Sequence, residues 1–551
     1  MSIFSSLKEF WNSLKTADPL TLRTEYIDID VKRERKPIRK TTKFQKHPFF
    51  TVFNFYPSNY STAEKKLLLK FDISVFLFMC ASTFTKNLDN ANISTAYVSG
   101  MKEDIHVVGN ELNIFSTMYT VGYALFQIPL TLLITKPQLS RYLLILCEFA
   151  WGILTLGNAF VKTPQQVYAI RFLIGVTEAC SYPASYVIFS SYLTDQELFT
   201  RAGFYGAFGT AGSAVSGSLQ TRMRDSLEGV CGLAGWRWQF IMDFVLTMGV
   251  TVYGFFLFPG IPTSCRKFGL FTEDDMIFAR KRVEKKIAIP RKFDRKALKE
   301  TFGTWQLYVF TILQTLHHSC YYFNGGKLYM ASRKDLYTTD DVTNWHTYMS
   351  LIGIPCAIFI SPLVEWLGKL PVVFVIYIIG YYAAIVTVVW NVKESVLLSS
   401  FFLIHVVRDG LSQVYYAWAA SLCRDDVEKK ALVLSIMQAI CYATNSWVTP
   451  LQYNTKWSPR FKVGYIANLV IVICTSIWFV VTWIFDHYDL QLIPKYAGHR
   501  HLDKEGNMQA SESQLLNDNI INIGNENVQR TDSSCSLIQS VTYLSSTKEK
   551  K

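Results

Sequence analysis

Charge is scarce in this chain: 18% of its 551 residues are Asp, Glu, Lys or Arg, whereas 50% are hydrophobic and 15% aromatic. Soluble domains carry roughly 25% charged residues, so this is not the composition of a soluble enzyme. Catalytic signatures are missing too. No HExxH, GxSxG or P-loop pattern occurs, and no His-rich haem or quinone pattern. The eleven Cys are scattered, with no CxxC and no His at zinc spacing. Neither a disulfide framework nor a metal site is expected, nor any cofactor, and most thiols fall inside apolar runs, where Cys acts as a small hydrophobe. The first 66 residues contain no h-region, so no cleavable signal peptide is expected and the first apolar span serves as the membrane signal.

Long hydrophobic runs are what the sequence has instead. A bilayer core needs about 20 mostly apolar residues per helix. Twelve such windows emerge, six between Leu67 and Phe258 and six between Trp305 and Phe485. The seventh is the weakest, because His317, His318, Asn324 and Lys327 interrupt it. The formal net charge is +12, and it is concentrated. Residues 1–70 carry 14 Lys/Arg against 7 Asp/Glu, and residues 259–304 carry 12 against 6. Cytoplasmic loops are enriched in Lys/Arg. Both basic segments lie on one side only if an even number of spans separates them, and six does.

The expected fold is therefore an all-α membrane protein of twelve transmembrane helices in two six-helix halves, with cytoplasmic N- and C-termini. The expected domains are a basic tail (1–66), a first half (67–258), a basic linker (259–304), a second half (305–486) and a disordered cytoplasmic tail (487–551). Two halves joined by a charged loop are the layout of a transporter whose substrate site lies at midplane between them. The basic stretch from Lys32 to Lys46 reads as topogenic charge, and neither glycosylation sequon, at Asn59 or Asn92, is expected to be used.

Ionisable residues inside apolar spans cost at least about 2.5–3.5 kcal/mol each on the insertion scale, so each is a functional candidate. The first span ends in KNLDNAN, where Lys86 and Asp89 stand three apart on one helical face and are able to neutralise each other. The fourth carries Arg171, Gly175 and Glu178 as one stripe, with Pro183 placed to bend the helix. Arg171 and Glu178 are two turns apart and meet only loosely. The tenth holds His405, Arg408 and Asp409, the third Glu148, and the seventh His317 and His318. A carrier for an organic anion needs a cation for the carboxylate, and proton coupling needs an acid that can be protonated on desolvation. The substrate-binding candidates are Lys86, Arg171, Asn90 and Arg408; the proton-coupling candidates are Asp89, Glu178 and Asp409.

These residues fall in segments that resemble the fungal anion:cation symporters of the major facilitator superfamily, the allantoate permease group. The resemblance runs from about Phe71 to Phe485. It rests on LDNANISTAYVSGMKED at Leu88–Asp104, on R-F-x-x-G-x-x-E-A at Arg171–Ala179, and on G-W-R-W-x-F-x-x-D at Gly235–Asp243. Two positions depart from the family pattern. Asn90 follows Asp89 where the family has Arg, which leaves Lys86 as the replacement cation. The loop after the second span is reduced to TKPQLSRY, so Lys136 and Arg141 lack the family's acid. The cluster Trp236–Trp238 reads as an interfacial aromatic belt with a charge anchor.

Within the group, Tyr97–Asn113 and Gly232–Phe244 look most like yeast vitamin carriers for biotin and pantothenate, and the Lys86 variant leans toward biotin. The resemblance implies a monomeric plasma-membrane symporter that imports biotin with protons. Pantothenate or another small carboxylate is the alternative. A transporter-like nutrient receptor with long cytoplasmic tails is the alternative of another class.

Overall fold

The computed structural model describes residues 55–488 apart from short segments (58–59, 109–110, 137–138, 263–266, 284–285, 293–300, 321–324, 334, 424–426, 454–456 and 458–459), together with residues 22–28. The basic stretch 32–46, the sequon residue Asn59 and the polar tail beyond Tyr488 lie outside the described residues. Outside the helical bundle, strand β1 (Leu22–Asp28) pairs antiparallel with β2 (Lys286–Lys292), Leu22 opposite Lys292, so the N-terminal segment is tied to the linker.

The first half comprises α1 (Thr62–Ala96), α2 (Glu111–Ile134), α3 (Ser140–Asn158), α4 (Pro164–Tyr192), α5 (Asp195–Leu227) and α6 (Gly235–Leu257). A short linker helix, α7 (Glu273–Val283), follows. The second half comprises α8 (Trp305–Ser319), α9 (Gly325–Ser332), α10 (Thr339–Leu367), α11 (Lys369–Val389), α12 (Glu394–Leu422), α13 (Val427–Gln452) and α14 (Lys462–Tyr488). Among the described residues nine helices are long and apolar enough to cross a bilayer. Of the other three expected spans, helix α5 is diluted by Gly, Ser, Thr and Gln, the seventh is split into α8 and α9, and the described apolar part of α10 is Leu351–Leu367.

Local sequence explains the ends and breaks. Ser61 and Glu64 form a reciprocal capping box that starts α1, and Thr194 with Glu197 does the same for α5. Pro164 opens α4, where its missing N–H costs nothing. The same helix is interrupted at Ala179–Cys180. Pro183 supplies no N–H and its ring crowds the carbonyl four residues back, which belongs to Ala179, so the predicted bend falls one turn ahead of the proline.

Large apolar side chains such as Leu125 (64% exposed) and Phe374 (62%) cover the outside of the bundle. In lipid such a surface carries no cost, and the helices are held by close backbone approach instead. A Cβ on Gly122 would lie 2.3 Å from Phe172 O, and one on Gly175 2.2 Å from Tyr119 O, so α2 and α4 touch backbone to backbone.

The halves are joined at the end that the Lys/Arg distribution assigns to the cytoplasm, the inner end. A Cβ on Gly203 of α5 would lie 2.4 Å from Ala357 O of α10, and Ser361 Oγ donates to Phe199 O at 2.7 Å. Ile128 and Leu132 of α2 pack on Leu432, Val433 and Ile436 of α13. Beside them Lys136 Nζ lies 3.1 Å from Glu428 Oε1, both side chains buried. The acid expected to be lacking at Lys136 is therefore supplied by the other half of the molecule. Further inner contacts are the fork of Arg201 on Asp72 (2.6 and 2.7 Å) and the contact of Arg282 with Glu197.

Candidate functional site

The broken α4 delivers two groups to one place. Its first segment ends at Glu178 and its second begins at Ser181, three residues later and on the same face. The Gly122–Gly175 contact brings this face against α2 and, beyond it, α1. A buried cluster of opposite charges and neutral donors results.

Arg171 Nη1 lies 3.0 Å from Asp89 Oδ2, its Nη2 donates to Asp89 O at 3.3 Å, and Thr155 donates to Asp89 Oδ1 at 3.1 Å. Both oxygens of the Asp89 carboxylate are thus satisfied, in a pair only 1% exposed on either side. Glu178 Oε2 accepts from Tyr119 at 2.8 Å and from Asn90 at 3.1 Å. Lys86 Nζ is held by neutral oxygens: it donates to Tyr123 Oη and to Ser181 Oγ, each at 3.0 Å, and lies 4.5 Å from the centre of the Tyr123 ring.

Two sequence expectations are corrected by this geometry. Lys86 and Asp89 share a helical face but do not neutralise each other, because Asp89 faces α3 and α4 while Lys86 faces α2 and Ser181. Arg171 is 1% exposed and committed to Asp89. Trp236 is not a lipid-interface belt residue either. It is buried and donates to Asp104 at 3.1 Å, while Arg237 pairs with the same carboxylate at 2.9 Å.

An aromatic seam runs from this cluster into the second half. Tyr123 packs on Tyr442 of α13 with ring centres 5.0 Å apart, and His318 of α8 stacks on Tyr442 at 5.7 Å. Alongside, Tyr182 and Tyr186 both donate to Gln413 Oε1 of α12, the former at 2.9 Å, and both rings pack on Tyr416. Seven helices contribute, so the site spans both halves.

The α12 candidates separate. Arg408 lies within electrostatic reach of His317, His318, Cys441 and Tyr442, which puts it on the central face. Asp409 sits 3.7 Å from His405 Nδ1 and against Gly353 of α10. Adjacent helical residues project about 100° apart, so the two face different neighbours. Lys86, Asn90, Asp89, Arg171 and Glu178 are brought together, Arg408 faces them across Tyr442, and Asp409 stands apart.

Sequence reasoning passed over Tyr123, Ser181, Tyr442 and Gln413. Ser181 was within reach of the helical-face argument, since it follows Glu178 by three. Tyr442 and Gln413 carry no local signal, because their role depends on how the halves meet.

The arrangement can hold an anion between a buried ammonium and a ring-lined seam, with a separate carboxylate–guanidinium pair beside it. It defines a two-half membrane carrier rather than an enzyme. The chain belongs to the Major Facilitator Superfamily, whose model matches residues 79–450. It is similar to the pantothenate transporter FEN2 of Saccharomyces cerevisiae, 30% identical over 76% of this chain and 83% of that one. It is also similar to the vitamin H transporter of the same organism, 27% identical over 84% of this chain and 78% of the other. Among solved structures the proton:xylose symporter XylE superposes with a TM-score of 0.57 at 13% identity, covering 77% of this chain and 96% of that one, which supports the fold.

Proposed function

We propose that the protein is a plasma-membrane symporter that imports a vitamin carboxylate with protons by alternating access. Pantothenate is the first candidate substrate, because the pantothenate relative is the more similar of the two vitamin carriers over most of its length; biotin is the second. The observation that carries the reading is Lys86, buried and hydrogen-bonded only to hydroxyls. An ammonium in that setting has a hydration shell to replace, and a substrate carboxylate supplies the strongest replacement.

In this reading Lys86 takes the carboxylate, with Arg408 approaching from the other half once substrate is bound. Asn90 and the seam of Tyr123, Tyr442 and Gln413 receive the polar amide or ureido body. Asp89, released from Arg171 by protonation, is the principal coupling acid, Glu178 supports it, and Asp409 takes a lesser part in the second half. Closure at Lys136–Glu428 and at the α5–α10 contact describes a state sealed at the inner end and loaded from the outside.

The test is uptake of labelled pantothenate and biotin by cells lacking both endogenous carriers, with each vitamin and desthiobiotin as competitors. Uptake at pH 5 that a protonophore abolishes is expected for at least one vitamin. Absence of uptake for both, or indifference to the protonophore, rejects the reading.

A further inference from the structure

Apart from Glu197 at the inner end, the first half buries four acids, Asp89, Glu148, Glu178 and Asp243, with the cations Lys86 and Arg171 among them. Their bonding is unequal. Asp89 has both carboxylate oxygens partnered, one of them by the guanidinium. Each of the others has one oxygen buried without a hydrogen-bond partner: Glu148 Oε1, Glu178 Oε1 and Asp243 Oδ1. An ionised carboxylate buried in this way leaves a charge uncompensated, which is costly away from bulk solvent, whereas the protonated form is neutral.

Glu148 and Glu178 both lie within electrostatic reach of Lys86. Among the described residues no cation pairs with Asp243. Its Oδ2 accepts from Asn92 at 2.8 Å, its side chain is fully buried, and the charges that reach it are Asp89, Glu178 and Arg171, the last already committed to Asp89. Other charged groups on elements packed against α6 include Glu148 on α3, Arg141 on α3 bonded to Phe255 O at 3.3 Å, Lys86 on α1, Asp72 held by Arg201, and Asp104 held by Arg237. Among the described residues none of these forms a hydrogen bond or salt bridge with Asp243.

A hydrogen-bonded column connects Asp243 to the outer end of the bundle. Half-exposed Thr95 accepts from Gln239 at 2.9 Å and shares a hydrogen bond with Ser216 at 3.2 Å. Gln239 and Ser216 both donate to Asn92 Oδ1, at 2.5 and 2.7 Å, and Asn92 donates to Asp243.

We propose that Asp243 is a second proton-binding site, distinct from Asp89 and loaded from the end where Thr95 lies. This rests on the symport reading above. In the state sealed at the inner end Asp243 carries its proton; opening to the cytoplasm hydrates the cluster, favours the carboxylate and releases it. With Asp89 also protonated for transport, about two protons accompany each monoanion and one net positive charge moves inward. The membrane potential then adds to the driving force.

The experiment uses the full chain purified into liposomes, with pantothenate and biotin as the probes. Proton and charge movement per substrate are measured by a trapped pH dye and by reversal potential. The wild type is expected to give a proton:substrate ratio of about two and an inward positive current. Asp243→Asn is expected to keep pH-driven uptake at a ratio of about one and to lose the current, and Asp243→Glu to restore both. An Asp243→Asn carrier with unchanged charge per substrate overturns the assignment. So does a wild-type ratio of about one, a measurement that does not depend on the variant folding. Absence of any proton movement in the wild type removes the symport reading itself, whereas proton flux at a ratio of one removes the Asp243 assignment alone.

Discussion

Arg171 reaches Asp89 across 82 residues of sequence, its Nη1 3.0 Å from the carboxylate with both side chains 1% exposed. Removing one partner of a buried pair leaves the other charge uncompensated, at about 3–5 kcal/mol. Arg171→Ala is therefore expected to lower the thermal stability of the purified carrier sharply, and Arg171→Ala with Asp89→Asn to regain much of it. Melting of the four proteins by fluorescence checks this, and additive losses would mean that the two residues act separately.

Asp89→Asn is expected to abolish proton-driven accumulation while exchange of internal for external substrate continues in part. The amide oxygen still accepts from Arg171 and its NH2 turns to the Thr155 hydroxyl as a donor, but the side chain takes up no proton. Equal loss of both activities in a normally trafficked variant would assign Asp89 a structural role.

Lys86→Ala is expected to raise the apparent substrate constant with little change in maximal rate. A hydrogen bond to a charged group contributes about 1.5–3 kcal/mol, which corresponds to roughly 10- to 100-fold. Concentration-dependent uptake is the readout. An unchanged constant would move carboxylate binding to Arg408.

The inner contact predicts a charge-swap result. Lys136→Glu places two carboxylates together beside the α2–α13 packing and is expected to reduce uptake strongly. Combining it with Glu428→Lys is expected to recover a large part. Failure of the double reversal to exceed either single variant would show that the pair does not hold the halves together.

Much of the fold was legible. The spacing of apolar windows and the two basic segments point to two six-helix halves, because bilayer thickness sets helix length. The stripe of Arg171, Gly175 and Glu178 was legible from helical periodicity, and so was the bend at Pro183. The choice of partner was not. A spacing of three allows Lys86 to meet Asp89 just as well, and the pairing of Arg171 with Asp89 depends on how α4 packs beside α1. Asp243 was visible in its motif, but its burial beside Asn92 depends on how α6 packs on α1. The Lys136–Glu428 contact joins positions 292 residues apart in different halves, beyond the reach of any local pattern.

Proton coupling through the Asp89–Arg171 pair is the centre of this account, and proteoliposomes test it most directly. The purified chain is reconstituted, an acid-outside pH gradient is imposed, and internal labelled pantothenate or biotin is followed against its equilibrium level. The account predicts transient accumulation above equilibrium that vanishes with a protonophore and is missing in Asp89→Asn. Filling that stops at equilibrium whatever the gradient, or accumulation that survives in Asp89→Asn, would contradict it.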